Sequence, residues 1–122
     1  MMEPNFILLY VSNPHNSEHF YRQLLQRDPA ESSPTFSMFA LQSGVMLGLW
    51  AQHTVLPVSE VQGGASELAF AVADRQAVDA CYANWIKLKI PMLQIPTALD
   101  FGYTFVGVDP DGHRLRVFAP HS

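Results

Sequence analysis

The sequence predicts an α+β fold in which one strand–helix–hairpin unit occurs twice. Residues 6–13 and 67–74 match each other when the chain is shifted by 61 residues. An amphipathic helical pattern follows each of these segments, and a hairpin pattern follows each helix. In a chain of 122 residues, we therefore expect a single domain (1–122) with two modules, about residues 1–52 and 66–122, joined by a linker over 53–65.

Each module begins with a strand that leads directly into a capped helix. Asn13 and Asp74 can accept hydrogen bonds from the first helical turn, so both are predicted N-caps. Pro14 suits the first helical position, because the N–H that proline lacks has no partner there. The sequence thus predicts helices over residues 14–26 and 75–89.

Each predicted helix is followed by two short strands joined by a turn. These strands cover residues 35–41 and 45–51 in the first module and residues 103–108 and 113–119 in the second. A further strand could precede each hairpin, around residues 29–33 and 92–96. The prolines in both places favour an edge strand or a loop over a central strand.

Alternation along four of these strands separates two kinds of surface. One set is uniformly apolar and should be covered by the helices: Leu9, Val11, Leu47, Leu49, Leu68, Phe70, Val72, Leu115 and Val117. The opposite set mixes aromatic, small and charged residues: Phe6, Leu8, Tyr10, Met46, Gly48, Trp50, Glu67, Ala69, Ala71, Arg114, Arg116 and Phe118. A plain solvent-facing side would be more polar, so the second set predicts a cavity or a dimer-buried face.

Composition argues against several classes of protein. The formal net charge of -4 disfavours a nucleic-acid surface, which needs clustered Lys and Arg. The chain starts without a basic leader segment, and no apolar run approaches the roughly 20 residues of a membrane span. Cys81 is the only cysteine, which excludes an intrachain disulfide. We expect a cytoplasmic protein with neither nucleic-acid nor membrane partners.

Three motifs occur in a characteristic order along nearly the whole chain. They are Val11-Ser12-Asn13 followed by Phe20-Tyr21-Arg22, then Val72-Ala73-Asp74, then the turn Asp109-Pro110-Asp111-Gly112-His113. Together they resemble the vicinal-oxygen-chelate superfamily of glyoxalase I, extradiol dioxygenases and bleomycin-resistance proteins. The resemblance implies two βαβββ modules whose strands form a rolled, cup-shaped mixed sheet with the helices on its outer face, commonly in a homodimer.

The resemblance also implies where a metal would be held in catalytic members of this family. Their four ligands, His or Glu from four strands, correspond here to Phe6, Gly48, Glu67 and Arg116. Phe6 and Gly48 have no donor atom, and Arg116 keeps its proton and would repel a cation. We therefore expect no metal and no other cofactor, no catalytic residues, and a binding protein rather than an enzyme.

Non-catalytic members that confer antibiotic resistance are the nearest resemblance, which implies sequestration of a planar, phenazine-like aromatic antibiotic or metabolite. The expected ligand contacts are Phe6, Tyr10, Met46, Gly48, Trp50, Glu67, Phe101, Tyr103, Arg116 and Phe118. Trp50 is the stacking candidate, with Gly48 leaving room beside it; a core tryptophan is the alternative. Glu67 and Arg116 are expected to face each other as an ion pair, unless Arg116 forks onto a ligand carboxylate.

Two other functions stay open on the sequence alone. One is a glyoxalase-like lyase or isomerase, or a dioxygenase, with non-standard metal ligands or with Glu67 as a general base. The other is a structural or regulatory dimer whose cavity is vestigial.

Overall fold

A computed structural model describes residues 2–121 as two compact units, residues 2–62 and 63–121. We call these the first and the second unit. Each unit contains one βαβββ module, which confirms the predicted α+β class with two modules. Neither α-helix among residues 2–121 combines the length and the hydropathy of a membrane span.

The first unit places one helix beside a four-stranded mixed sheet. Its elements are β1 (Phe6–Val11), α1 (Pro14–Leu25), β2 (Glu31–Ser32), β3 (Phe36–Ala40) and β4 (Met46–Ala51), followed by a 3₁₀ turn at Gln52–Thr54. The strand order is β1-β4-β3-β2, with β1 parallel to β4 and the other pairs antiparallel. The predicted cap is confirmed, because Asn13 Oδ1 accepts from the backbone N–H of His15 at 3.0 Å.

The second unit repeats this arrangement. Its elements are β5 (Glu67–Ala71), α2 (Arg75–Lys87), β6 (Met92–Leu99), β7 (Gly102–Val108) and β8 (Arg114–Pro120). The strand order β5-β8-β7-β6 again contains one parallel pair, β5 with β8. Asp74 Oδ1 accepts from the backbone N–H of Ala77 at 2.8 Å, which confirms the second predicted cap.

The two extra strands are edge strands, as predicted, but the second is longer than expected. Strand β6 continues past Pro96 to Leu99, and its pairing with β7 shifts register on both sides of Gln94. An edge strand pairs on one side only, so Pro96 can lack an N–H without ending the extended conformation. Helix α2 is shorter than predicted, because Lys89 adopts a left-handed conformation with φ 62°.

The predicted apolar face is the helix-covered side of both sheets. In the first unit its buried members are Leu9, Val11, Leu47 and Leu49, which lie with Tyr21 of α1. In the second unit Leu115 and Val117 are buried, and Trp85 of α2 lies with its ring centroid 5.1 Å from Phe105 and 5.9 Å from Phe70. These contacts confirm which side of each sheet is the core, and they leave the opposite side open.

Candidate functional site

The open face of the first sheet is dominated by apolar and aromatic side chains. The strand register aligns three rows across β1, β4 and β3, namely Phe6–Met46–Ala40, Leu8–Gly48–Met38 and Tyr10–Trp50–Phe36. Phe6 and Leu8 remain 42% and 45% exposed. We call Phe6, Leu8, Tyr10, Phe36, Met38, Met46 and Trp50 the aromatic face. These seven side chains are uncharged, with Glu31 of the edge strand β2 beside Met38, and they are too apolar for an ordinary wet surface.

One row of this face contains three aromatic rings side by side. Tyr10 and Trp50 meet edge to face, with ring centroids 6.1 Å apart and planes at 83°, and Phe36 pairs with Trp50 on its other side. Trp50 is only partly buried, whereas Trp85 is 4% exposed. Trp50 is therefore a surface tryptophan on the open face, and Trp85 is the core tryptophan of this chain.

The expectation of open space beside Gly48 was wrong. A Cβ built on Gly48 would lie 2.8 Å from Leu8 Cδ2 and 3.0 Å from Phe36 Cζ. Side chains from both neighbouring strands thus close over the glycine, and Gly48 is buried beneath them. The space that a side chain at position 48 would fill is therefore taken by Leu8 and Phe36 and is not free for a ligand.

Phe36 and Met38 were missed in the sequence, although a signal for them was present. In β3, Ser37 and Phe39 are buried on the helix side, while Phe36 and Met38 alternate with them and are only partly buried. Applying the same period-two pattern to this third strand would have placed both residues on the aromatic face.

The open face of the second sheet carries an ion pair. Arg116 Nε donates to Glu67 Oε1 at 2.7 Å, and Arg116 Nη2 donates to Glu67 Oε2 at 2.9 Å. The Arg116 and Glu67 side chains are 17% and 29% exposed. This geometry confirms the predicted pairing, with the difference that the partners lie on neighbouring strands, β5 and β8, and not across a cup.

The ion pair determines the protonation of Glu67. Hydrogen bonds from Arg116 lower the pKa of Glu67 below its ordinary value; burial opposes this effect, and the charges of Arg116 and Arg114 add to it. The pair thus favours the ionised form of Glu67, and both of its oxygens accept hydrogen bonds from one guanidinium.

The remaining nitrogen of Arg116 is also occupied within the second unit. Arg116 Nη1 donates to Thr104 Oγ1 at 3.1 Å and to Gln94 Oε1 at 3.4 Å. Thr104 in turn donates to the carbonyl of Val117 at 2.8 Å. Because every guanidinium nitrogen already has a partner, the structure favours the internal pair over Arg116 forking onto a ligand carboxylate. Gln94 and Thr104 were not singled out in the sequence.

Two phenylalanines lie against this cluster. The Arg116 Cζ atom is 5.7 Å from the ring centroid of Phe101, and Phe101 meets Phe118 edge to face at 6.0 Å. Phe101 occupies the turn between β6 and β7 and is 47% exposed. Phe118 therefore lies on the face of Arg116 that alternation predicted, and Phe101 lies beside both residues.

Tyr103 was placed on the wrong side of the sheet. Its hydroxyl donates to Asp79 Oδ1 of α2 at 2.9 Å, and the Arg75 guanidinium lies 4.7 Å from its ring centroid. Successive residues of β7 point to opposite faces, so Tyr103 faces the helix side while Thr104 faces Arg116. The proximity of Tyr103 to a loop obscured this alternation in the sequence.

The four positions that hold a metal in catalytic relatives do not fit a metal here. Phe6 and Gly48 offer no donor, and Glu67 already binds Arg116 through both oxygens. Elsewhere in residues 2–121, no group of three or more His, Cys, Asp or Glu side chains is arranged to hold a metal ion. These residues therefore support no step of metal-dependent chemistry.

Two clefts lie apart from the aromatic face and the ion pair. One of about 540 Å³ in the first unit is lined by Ser12, Gln52, His53, Val55, Leu56, Val58, Ser59 and Glu60. One of about 210 Å³ in the second unit is lined by Ala73, Asp74, Arg75, Tyr103, Ala119, Pro120 and His121. Tyr103 is the only predicted ligand contact that lines either cleft.

Comparison with known proteins identifies the family. No protein-family model matches the chain. The phenazine antibiotic resistance protein of Enterobacter agglomerans is 32% identical over 117 residues, which cover 93% of this chain and 89% of that protein. The chain belongs to the vicinal-oxygen-chelate superfamily. As a member of this superfamily, it shares its fold with a glyoxalase/bleomycin resistance protein/dioxygenase from Nocardioides, at 20% identity and a TM-score of 0.86 over 98% of this chain and 84% of that one.

A second solved relative supports the same fold at higher identity. A protein of Agrobacterium tumefaciens whose structure was determined by solution NMR is 52% identical, with a TM-score of 0.91 and full coverage of both chains. The two βαβββ modules described above are thus the fold that this chain shares with both solved structures.

Proposed function

We propose that this protein binds a planar aromatic antibiotic or metabolite of the phenazine type and confers resistance by sequestering it. The observation that carries this proposal is the row of Tyr10, Trp50 and Phe36 on the open side of the first sheet. The name of the phenazine antibiotic resistance protein of Enterobacter agglomerans, 32% identical to this chain, supports the choice of ligand class.

The aromatic face suits a flat, largely apolar ligand. A fused-ring compound would bury apolar area against these side chains at about 25 cal/mol per Å², and each well-oriented ring pair would add about 0.5–1.5 kcal/mol. We assign ligand contact to Phe6, Tyr10, Met46 and Trp50 of the first unit, as the sequence predicted, and add Phe36. In the second unit we assign Phe101 and Phe118. Gly48 of the first unit, and Glu67 and Arg116 of the second, act through the side chains that they position.

The Glu67–Arg116 ion pair also favours ligand binding over catalysis by Glu67. A general base must be able to take a proton near the working pH. The lowered pKa of Glu67 and its double hydrogen bond to Arg116 make it a poor base. Sequestration requires no proton transfer, so the ion pair is compatible with it.

We further propose that the protein acts as a homodimer in the cytoplasm. Strand β1 is an edge of its sheet, and its residues Phe6, Ile7 and Leu8 are 42%, 37% and 45% exposed. An apolar edge strand of this kind favours pairing with a second copy. The single cysteine, Cys81, is compatible with a reducing compartment. Light scattering of the purified protein should give twice the monomer mass, and cell fractionation tests the location.

A ligand titration tests the proposed function. Phenazine and phenazine-1-carboxylate are added to the purified protein while tryptophan fluorescence and heat of binding are recorded. Both compounds should bind and quench Trp50. The Trp50→Phe variant should lose the quenching and bind more weakly by about fivefold, which corresponds to about 1 kcal/mol of stacking.

Trp85→Phe is the matched control, because Trp85 lies on the helix side of the second sheet. It should keep both the quenching and the affinity. If neither phenazine releases or absorbs heat or quenches Trp50 up to its solubility limit, the proposed function is wrong.

A further inference from the structure

The ring of Phe101 lies in a turn and is exposed, but two other side chains of the second unit contact it. It is 47% exposed between β6 and β7, yet it contacts Phe118 edge to face at 6.0 Å and has the Arg116 guanidinium 5.7 Å from its centroid. The Phe101 carbonyl also accepts from the backbone N–H of His121 at 3.3 Å. Two contacts therefore restrict the ring, and a hydrogen bond fixes the backbone that carries it.

The guanidinium beside this ring is itself fixed. Arg116 is clamped by both oxygens of Glu67 at 2.7 and 2.9 Å and is held on its other side by Thr104 and Gln94. A double hydrogen bond to a carboxylate defines the plane of a guanidinium as well as its position. The planar guanidinium is a good partner for an aromatic ring.

From this geometry we infer that Arg116 acts on the ligand through Phe101. Arg116 is a positioning residue that holds the Phe101 ring, and the exposed surface of that ring contacts the ligand. The inference deepens the proposed function and rests on it. It specifies the ligand at this place as an aromatic ring face without a required anionic group, because the nitrogens of Arg116 are occupied inside the protein.

A double-mutant cycle distinguishes this role from direct recognition of an anion. Dissociation constants for phenazine and phenazine-1-carboxylate are measured for the wild-type protein, Phe101→Ala, Arg116→Met and the double variant. Phe101→Ala should weaken binding of both compounds about fivefold, and Arg116→Met about threefold, in line with the size of stacking and cation–π contacts. In the Phe101→Ala background, Arg116→Met should have no further effect on either compound.

Glu67→Gln provides a second test that keeps the guanidinium. It releases the clamp on Arg116, so it should weaken binding of both compounds when Phe101 is present and should have no effect when Phe101 is replaced. Urea midpoints of all variants check that each is folded under the binding conditions. Arg114→Met, two residues along β8, removes an exposed guanidinium that is not beside Phe101, and its effect should be the same in both backgrounds.

The outcomes separate the inference from the proposed function. If Arg116→Met still weakens phenazine-1-carboxylate in the Phe101→Ala background and leaves phenazine unaffected, Arg116 contacts the ligand anion and the inference is overturned. Additive effects on both compounds overturn it as well. In either case the wild-type protein still binds, so the proposed function stands; absence of wild-type binding would overturn both.

Discussion

The two units share one topology but differ in the side of the sheet on which a hydrogen-bonded glutamate lies. In the first unit the open face is aromatic over β1, β4 and β3, with Glu31 only on the edge strand β2, and a carboxylate is buried on the helix side, where Glu18 is 6% exposed. In the second unit the helix side contains an aromatic cluster around Trp85, and the Glu67–Arg116 pair lies on the open face. In the same βαβββ topology, Glu18 therefore stabilises the packing of a helix on its sheet, whereas the Glu67–Arg116 pair lies on a face that a ligand can reach.

Glu18 shows what a structural carboxylate looks like in this fold. Ser37, which is 1% exposed, donates to Glu18 Oε1 at 2.8 Å, and Arg22 Nη2 lies 3.5 Å from Glu18 Oε2. Burial alone would raise the pKa of Glu18, but hydrogen bonds from Ser32 and Ser37 and the charge of Arg22 lower it below its ordinary value. Satisfied in this way, Glu18 ties α1 to β3 of the first sheet.

The largest expected effect concerns the two tryptophans, which occupy opposite sides of their sheets. Trp85→Ala should lower the free energy of unfolding by about 3–5 kcal/mol, because it removes a buried ring from contacts with Phe70 and Phe105. Trp50→Ala should cost clearly less, since Trp50 is only partly buried. Urea denaturation followed by circular dichroism measures both. Equal losses would mean that Trp50 is a core residue and that the aromatic face is a packing surface.

The next effect concerns the two carboxylates. Glu18→Ala should lower the free energy of unfolding at neutral pH by about 1–3 kcal/mol, because the buried Ser37 hydroxyl loses its acceptor. Glu67→Ala should cost less, since Glu67 and Arg116 both have access to water. A larger loss for Glu67→Ala, measured by urea denaturation, would contradict the assignment of Glu18 as the structural carboxylate.

Acid titration sharpens the same comparison. A carboxylate whose pKa is lowered by folding stabilises the protein fully above its unfolded-state pKa, about 4.3 for Glu, and this contribution is lost as pH falls through the folded-state value. Glu18 and Glu67 both have lowered pKa values, so the wild-type protein should lose stability with acid in this range. Glu18→Gln and Glu67→Gln should each flatten the pH dependence of the urea midpoint. An unchanged slope in either variant would contradict the corresponding pKa direction.

The fold could be predicted well because its signals are local and repeated. Asn13 and Asp74 fixed the starts of both helices, and alternation in β4 and β8 identified the buried side of each sheet. The extent of β6 could not be predicted, because Pro96 is a strand breaker only where both sides of a strand are paired. The helix ends could not be predicted either, because the left-handed residues that follow α1 and α2 are Gln26 and Lys89 and not glycines.

The candidate site was predicted less completely, for a related reason. The partners Glu67 and Arg116 were found because the family resemblance assigns both to metal-ligand positions. The occupancy of the Arg116 nitrogens depends on Thr104 and Gln94, which come from two other strands. Tyr103 was placed on the wrong face because it pairs with Ala119 on the helix side, whereas the next residue, Thr104, pairs with Phe118 on the open side. Contacts of this kind depend on register between strands, which a single strand's pattern does not contain.

The smallest expected effect tests how the aromatic face is built. Gly48→Ala places a methyl group 2.8 Å from Leu8 Cδ2 and 3.0 Å from Phe36 Cζ, so both side chains must move aside. Both contacts are the ends of side chains, and alanine is otherwise favoured over glycine in a strand, so the loss of unfolding free energy should be about 1 kcal/mol or less. Ligand affinity should fall further than stability does, because Phe36 would be displaced beside Trp50.

A control for this substitution must lie on the same face without a special backbone conformation. Gly44→Ala is not suitable, since Gly44 has φ 92°. Ala40→Gly, at the exposed end of β3 on the same face, is the better comparison. If Gly48→Ala lowers stability but leaves phenazine affinity at the wild-type value, Phe36 and Leu8 only pack over the glycine and take no part in binding.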